Sequence, residues 1–125
     1  MKNTSMINKK YTYALIGASA NKDKYGYKIL QDLTVAGFKI IPINPKGQDI
    51  QDQKVYRTLR DIKEKIDVAI FVVPPSITEN VLKQVHTKKI NNVWFQPGSE
   101  NENAIDYCKK NKINYIHNLC IMVER

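Results

Sequence analysis

The chain has 125 residues, a formal net charge of +8, 42% hydrophobic residues and two cysteines. That length suits one domain with a sizeable core and no need of metal or disulfide staples, and two cysteines exclude a disulfide framework. The longest uninterrupted apolar run, Val68 to Val73, is far too short to span a membrane.

The opening "MKNTSMINKK" carries charge but no apolar core of a secretory signal. It reads as a flexible tail over residues 1–10 ahead of a single domain over 11–125, with the cytoplasm as the default location. Next, "YTYALIG" (11–17) reads as a buried strand running into a glycine. Tyr25, Ile29, Leu33 and Ala36 then recur at helical spacing, with Asp23 as the expected N-cap and Gly37 as the stop. "FKIIPIN" (38–44) is the second strand, ended by the turn Asn44-Pro45-Lys46-Gly47. From 48 to 65 the signal is weak: "KVY" suggests a short edge strand, and Leu59 with Ile62 a single helical turn.

"DVAIFVVPP" (67–75) is the strongest strand, continuous and β-branched as in a parallel sheet covered on both faces. Ser76-x-x-Glu79 then predicts a capping box, and Ile77, Val81, Leu82 and Val85 one apolar helix face. "NVWFQPG" (92–98) is a further strand. Ser99-x-x-Glu102 predicts a second capping box, opening a helix with Ala104, Ile105 and Cys108 inward; "INYIHNL" (113–119) closes the series. Such alternation predicts an α/β fold, a Rossmann-like doubly wound sheet, mostly parallel, of five to six strands with helices on both faces.

In such a sheet ligands bind beyond the carboxyl ends of the strands, near the point where strand order reverses. Four loops meet there: after Gly17, Asn44, Val73 and Phe95. In the first, Gly17 and a following helix N-terminus suit a phosphate; Ser19 adds a hydroxyl, and Lys22 and Lys24 add charge. The second and third glycines of G-x-G-x-x-G are missing. The second loop argues against NAD, which needs an acid on its adenosine ribose. Here the strand ends Ile43-Asn44-Pro45-Lys46, with no acid until Asp49. A lysine there suits NADP, or a nucleotide with a 3′-phosphate. Pro74-Pro75 suggests a stiff hydrophobic wall, and Gln96-Pro97-Gly98 offers one amide side chain at a strand end.

Taken together, "IGAS" with "YGYKIL", "IIPINPK", "KVYRTLRDI", "DVAIFVVPP", "VWFQPG" and "NLCIMVE" make the chain resemble the small stand-alone CoA-binding proteins. These are related to the N-terminal domain of the succinyl-CoA synthetase α subunit. The resemblance runs from about Tyr11 to Val123. It implies that Gly17, Ala18 and Ser19 line the pyrophosphate, with the helix entered at Tyr25. It also implies that Asn44, Pro45 and Lys46 hold the adenosine end, with Lys46 on the 3′-phosphate. Val73 and Pro74 would pack on adenine or the start of the pantetheine arm, and Gln96 would lie near the arm's far part. The chain departs from the family in having Asn118-Leu119-Cys120 where Asp-Arg commonly precedes the cysteine. It also has no room for the synthetase domain that bears a phosphorylated histidine.

The function expected is therefore binding of coenzyme A or an acyl-CoA, by a module with no catalytic activity of its own. The alternative is an NADP-type nucleotide-binding oxidoreductase, or a CoA-dependent enzyme component acting with a partner chain. The former predicts acid/base groups at a nicotinamide, and no Tyr-x-x-x-Lys pair is present. A nucleotide-responsive DNA-binding regulator would need a winged-helix domain. Seventeen of the twenty basic residues are lysines, spread from Lys2 to Lys112. That spread predicts no specific nucleic-acid surface, and no membrane partner is expected. His86 and His117 lack zinc spacing, so no metal is expected either. A small sheet with an exposed edge is compatible with a homodimer. Cys120 reads as a small buried hydrophobe and Cys108 as structural.

Overall fold

The structure, a computed structural model, describes residues 6–125. Its strands are β1 (Thr12–Ile16), β2 (Lys39–Ile43), β3 (Val68–Phe71), β4 (Asn92–Phe95) and β5 (Asn114–Ile116). The helices are α1 (Tyr25–Val35), α2 (Pro75–Thr87), α3 (Glu102–Lys110) and the short α4 (Ile121–Glu124). Alternation along the strands divides the apolar residues between two layers. From β1, Tyr13 and Leu15 join Ile29, Leu30 and Leu33 of α1 on one face. Ala14 and Ile16 join Leu82 and Val85 of α2 on the other, with Ala104 and Cys108 of α3. β3 divides likewise, Val68 and Ile70 against Ala69 and Phe71. Each fully buried large side chain contributes about 1.5–3 kcal/mol over leaving it exposed.

The five strands are all parallel, in the order β2-β1-β3-β4-β5. This is the Rossmann-like α/β sheet, with α1 and α4 on one face and α2 and α3 on the other. The sixth, edge strand is reduced to a single parallel bridge, Ile43 to Tyr56. Pro42 explains the shortfall. Its carbonyl accepts from Tyr56 N–H on the outer side, but its ring nitrogen offers no donor there to extend the ladder. The weak stretch before β3 also contains the helical turn, a 3-10 turn at Leu59–Asp61.

Helix ends show where local signals mislead. Gly37, at φ +93°, does stop α1: its N–H donates to Thr34 O and Phe38 N–H to Leu33 O, a Schellman closure. Asp23 is not the N-cap. Lys24 occupies that position without a side-chain cap bond, while Asp23 N–H donates to Asn21 Oδ1. Tyr25, expected on the buried face, is 62% exposed. Neither capping box forms. α2 starts at Pro75, which needs no N–H in the first turn, and Ser76 lies inside the helix. α3 is capped by Asn101, whose Oδ1 accepts from Ala104 N–H, because Ser99 is held in the preceding turn by Gln96 O.

The tail expected over 1–10 is shortened at its far end. Met6 is fully buried, and its carbonyl accepts from the Tyr13 hydroxyl at 2.6 Å; residues 1–5 lie outside the described residues. No helix among the described residues is long and apolar enough to cross a membrane.

Candidate functional site

The strand order reverses between β1 and β3, so the crevice of the sheet opens at their carboxyl ends. Gly17 sits there with φ +104°. A Cβ on it would lie 2.5 Å from Val72 O and 2.7 Å from Val73 Cγ1, so only glycine fits. Gly26 is as constrained: its Cβ would lie 2.0 Å from Gly17 O. The first turn of α1 thus rests directly on the β1 turn. Gly26 provides the close helix–strand contact of the third fingerprint glycine, placed after a longer loop than G-x-G-x-x-G allows.

That loop rearranges the phosphate donors. Gly17 and Ala18 N–H groups both donate to Ile43 O, at 3.3 and 3.2 Å, so these amides are spent within the protein. The N–H groups of Ser19, Tyr25 and Gly26 have no acceptor among the described residues. They surround the helix start, where the dipole favours an anion. Ser19 Oγ accepts from Asn21 N–H and shapes the loop. Lys24 lines the crevice, whereas Lys22 lines none of the recesses described here.

At the end of β2, Asn44 turns inward. Its Nδ2 donates to Ala18 O at 2.7 Å and its Oδ1 accepts from Lys46 N–H at 2.8 Å. The turn therefore fixes the backbone of Lys46, whose exposed side chain borders a smaller recess shared with Ser19 and Asn21. Arg57 crosses this turn from the chain beyond the edge bridge. Its Nη1 donates to Pro45 O at 2.8 Å, and its Nε would lie 2.8 Å from a Cβ on Gly47. No acid lines either recess.

The main crevice encloses about 550 Å³. Ile43, Pro45, Val73, Pro74, Ile77 and Val81 give it apolar lining, and Arg57, Thr58 and Gln84 line it as well. Ile77 was expected in the core, but it is 44% exposed and faces the crevice, while Thr78 takes the buried position. Along the same edge of the sheet, a recess of about 140 Å³ is lined by Tyr25, Val72, Gln96, Pro97 and Cys120. Gln96 is buried and already engaged: Oε1 accepts from Ile121 N–H at 2.8 Å and Nε2 donates to Cys120 Sγ at 3.3 Å. Cys120 is half-buried at this recess rather than sealed in the core. Cys108 is the sealed thiol, pushed up to about 12 by burial. His117 pairs with Glu100 at 3.3 Å, and neither lines the crevice. Among the described residues no cluster of His, Cys, Asp or Glu is arranged to hold a metal ion.

Of the residues singled out from sequence, Gly17, Ala18, Ser19, Asn44, Pro45, Val73 and Pro74 meet in the main crevice. Lys46 borders the adjoining recess, and Tyr25 and Gln96 the one beside Cys120. Sequence reading missed Arg57, Thr58, Ile77, Val81 and Gln84. One signal was available: Ile77 and Val81 form a second apolar stripe beside the buried 78, 82 and 85, more apolar surface than one sheet layer needs.

Residues 11–125 match the CoA binding domain family. The chain belongs to that family. This CoA binding domain is similar to the ADP-forming acetate–CoA ligase of Methanocaldococcus jannaschii, 39% identical over 77 residues, covering 62% of this chain and 11% of the ligase. It is 37% identical over 83 residues to the alpha subunit of ADP-forming acetate–CoA ligase I of Pyrococcus furiosus, covering 62% of this chain and 18% of the subunit. The chain thus spans less than a fifth of the length of these curated relatives. A conserved hypothetical protein from Pyrococcus furiosus has the same fold, with TM-score 0.89 and 40% identity, covering 92% of this CoA binding domain and 99% of that chain. A hypothetical protein from Pyrococcus horikoshii follows with TM-score 0.87 and 29% identity, over 92% of this chain and 82% of that one.

Proposed function

We propose that the chain binds coenzyme A, or an acyl-CoA, as a module without catalytic machinery of its own. The observation that carries this reading is the charge at the end of β2. Two cations, Lys46 and Arg57, flank a turn where NAD would need an acid, and no acid lines the recesses beside them. A 3′-phosphate on the ribose meets that arrangement. The unspent amides of Ser19, Tyr25 and Gly26 suit the pyrophosphate, and the apolar walls of the crevice suit a base. The recess at Tyr25, Gln96 and Cys120 would take the far part of the pantetheine arm. Gln96 would act there by shaping the recess, because its amide is already engaged.

Titration calorimetry of the reduced protein with CoA, dephospho-CoA, NAD and NADP tests the reading, and CoA should bind tightest. A charge-assisted phosphate contact is worth about 1.5–3 kcal/mol, and Lys46 is exposed, which favours the lower end. Lys46→Ala should therefore weaken CoA roughly tenfold and leave dephospho-CoA unchanged. Equal losses for both ligands would reject the assignment of Lys46 to the 3′-phosphate.

A further inference from the structure

Two polar groups at the main crevice are unspent. Gln84 Oε1 and Thr58 Oγ1 are shielded from solvent and have no hydrogen-bond partner, although both side chains line the crevice. Such atoms normally find a partner when buried, because an unsatisfied polar group costs stability. They come from separate segments, the chain beyond β2 and the last turn of α2. Ile43, Pro45, Ile77 and Val81 give the same crevice an apolar lining. A slot with apolar sides and hydrogen-bonding groups along its lining has the chemistry of a heteroaromatic base, which presents π-faces and a polar edge.

Resting on the coenzyme A reading, we infer that Gln84 and Thr58 recognise the edge of the adenine ring and make the crevice specific for that base. A glutamine amide matches adenine in a bidentate manner, Oε1 accepting from the exocyclic N6–H and Nε2 donating to a ring nitrogen. The Thr58 hydroxyl donates or accepts as its rotor requires. The terminal amide torsion is broad and soft, so Gln84 turns to meet an entering base. The ligand then supplies the partners that the protein alone does not.

This assignment separates stability from affinity. Replacing an unsatisfied polar group by an apolar one of similar shape removes a penalty from the free protein. Gln84→Met and Thr58→Val should melt at or above the wild-type temperature without ligand, yet bind CoA about tenfold more weakly. The probe is 1,N6-etheno-CoA, which keeps the phosphates and a flat ring but blocks the N1 and N6 positions. Wild type should bind it about tenfold more weakly than CoA, and Gln84→Met should bind the two alike. Equal binding of CoA and etheno-CoA by wild type overturns the base-edge assignment and leaves the coenzyme A reading standing. Lowered melting temperatures in both free variants with unchanged CoA affinity also overturn it, since the groups would then be structural. Failure of wild type to bind either CoA or adenosine 3′,5′-bisphosphate overturns both readings.

Discussion

Replacing Gly26 by alanine tests how the crevice is built. The new Cβ would lie 2.0 Å from Gly17 O and 3.2 Å from Ser19 N, both backbone atoms that no rotamer change can move. An ordinary approach requires the first turn of α1 to lift by roughly 1 Å, taken against the van der Waals separation of carbon and oxygen. The helix is not free to lift. Ile29, Leu30 and Leu33 are at most 1% exposed, and their packing would open with it. Overpacking costs about 1–3 kcal/mol, and a backbone collision belongs at the upper end. Alanine's helix preference over glycine returns about 1 kcal/mol. The net loss is about 2 kcal/mol, a fall of roughly 6–10 °C in melting temperature for a domain of this size. Calorimetric melts should compare it with Gly37→Ala, whose Cβ meets nothing within 4 Å and whose φ is +93°. That variant carries left-handed backbone strain of about 1–2 kcal/mol without a collision, whereas Gly26→Ala carries the collision without that strain. Gly26→Ala melting at or above wild type would refute the close-contact argument, because helix propensity would then have decided the outcome.

Burial raises the Cys108 thiol from its ordinary 9.0 to about 12, so the unfolded chain releases this proton first as pH rises. The resulting stability is complete below about pH 9 and is lost towards about 12, at roughly 1.4 kcal/mol per pH unit. Urea melts of Cys108→Ala should show a shallower alkaline decline than wild type, and parallel curves would contradict the assignment. Gln96→Met removes the acceptor of Ile121 N–H and should cost about 1–3 kcal/mol. An unchanged urea midpoint would show that water replaces the glutamine.

The parallel sheet and the edge that carries the crevice were legible because both follow from apolar runs and connection rules. β3 announces itself as a continuous apolar segment, and a parallel sheet then places the loops after Gly17, Asn44, Val73 and Phe95 on one edge. Helix caps were less legible, because Ser76 and Asp23 compete with neighbours whose geometry is set by the chain's exit from the sheet. Pro75 at the first helical position and Asn101 after a fixed turn prevailed. The role of Gly26 was hidden for another reason: a local fingerprint assumes a fixed loop length, whereas the contact depends only on where α1 lands. Arg57 was invisible in the weak stretch before β3. Its meaning lies in a non-local contact with Pro45 and Gly47.

The Ile43 carbonyl, which accepts from both Gly17 and Ala18, has a further consequence. With the Asn44 side chain on Ala18 O, three hydrogen bonds of 2.7 to 3.3 Å stitch the loop after β1 to the turn after β2. The backbone leading to the amides at the start of α1 is therefore tied to the backbone of the turn that carries Lys46, and neither loop shifts without breaking the stitches. On the coenzyme A reading, the two anion seats would then act as a gauge. They would select by the distance between a ligand's phosphates rather than by its total charge, and a molecule with equal charge but different spacing would satisfy only one seat.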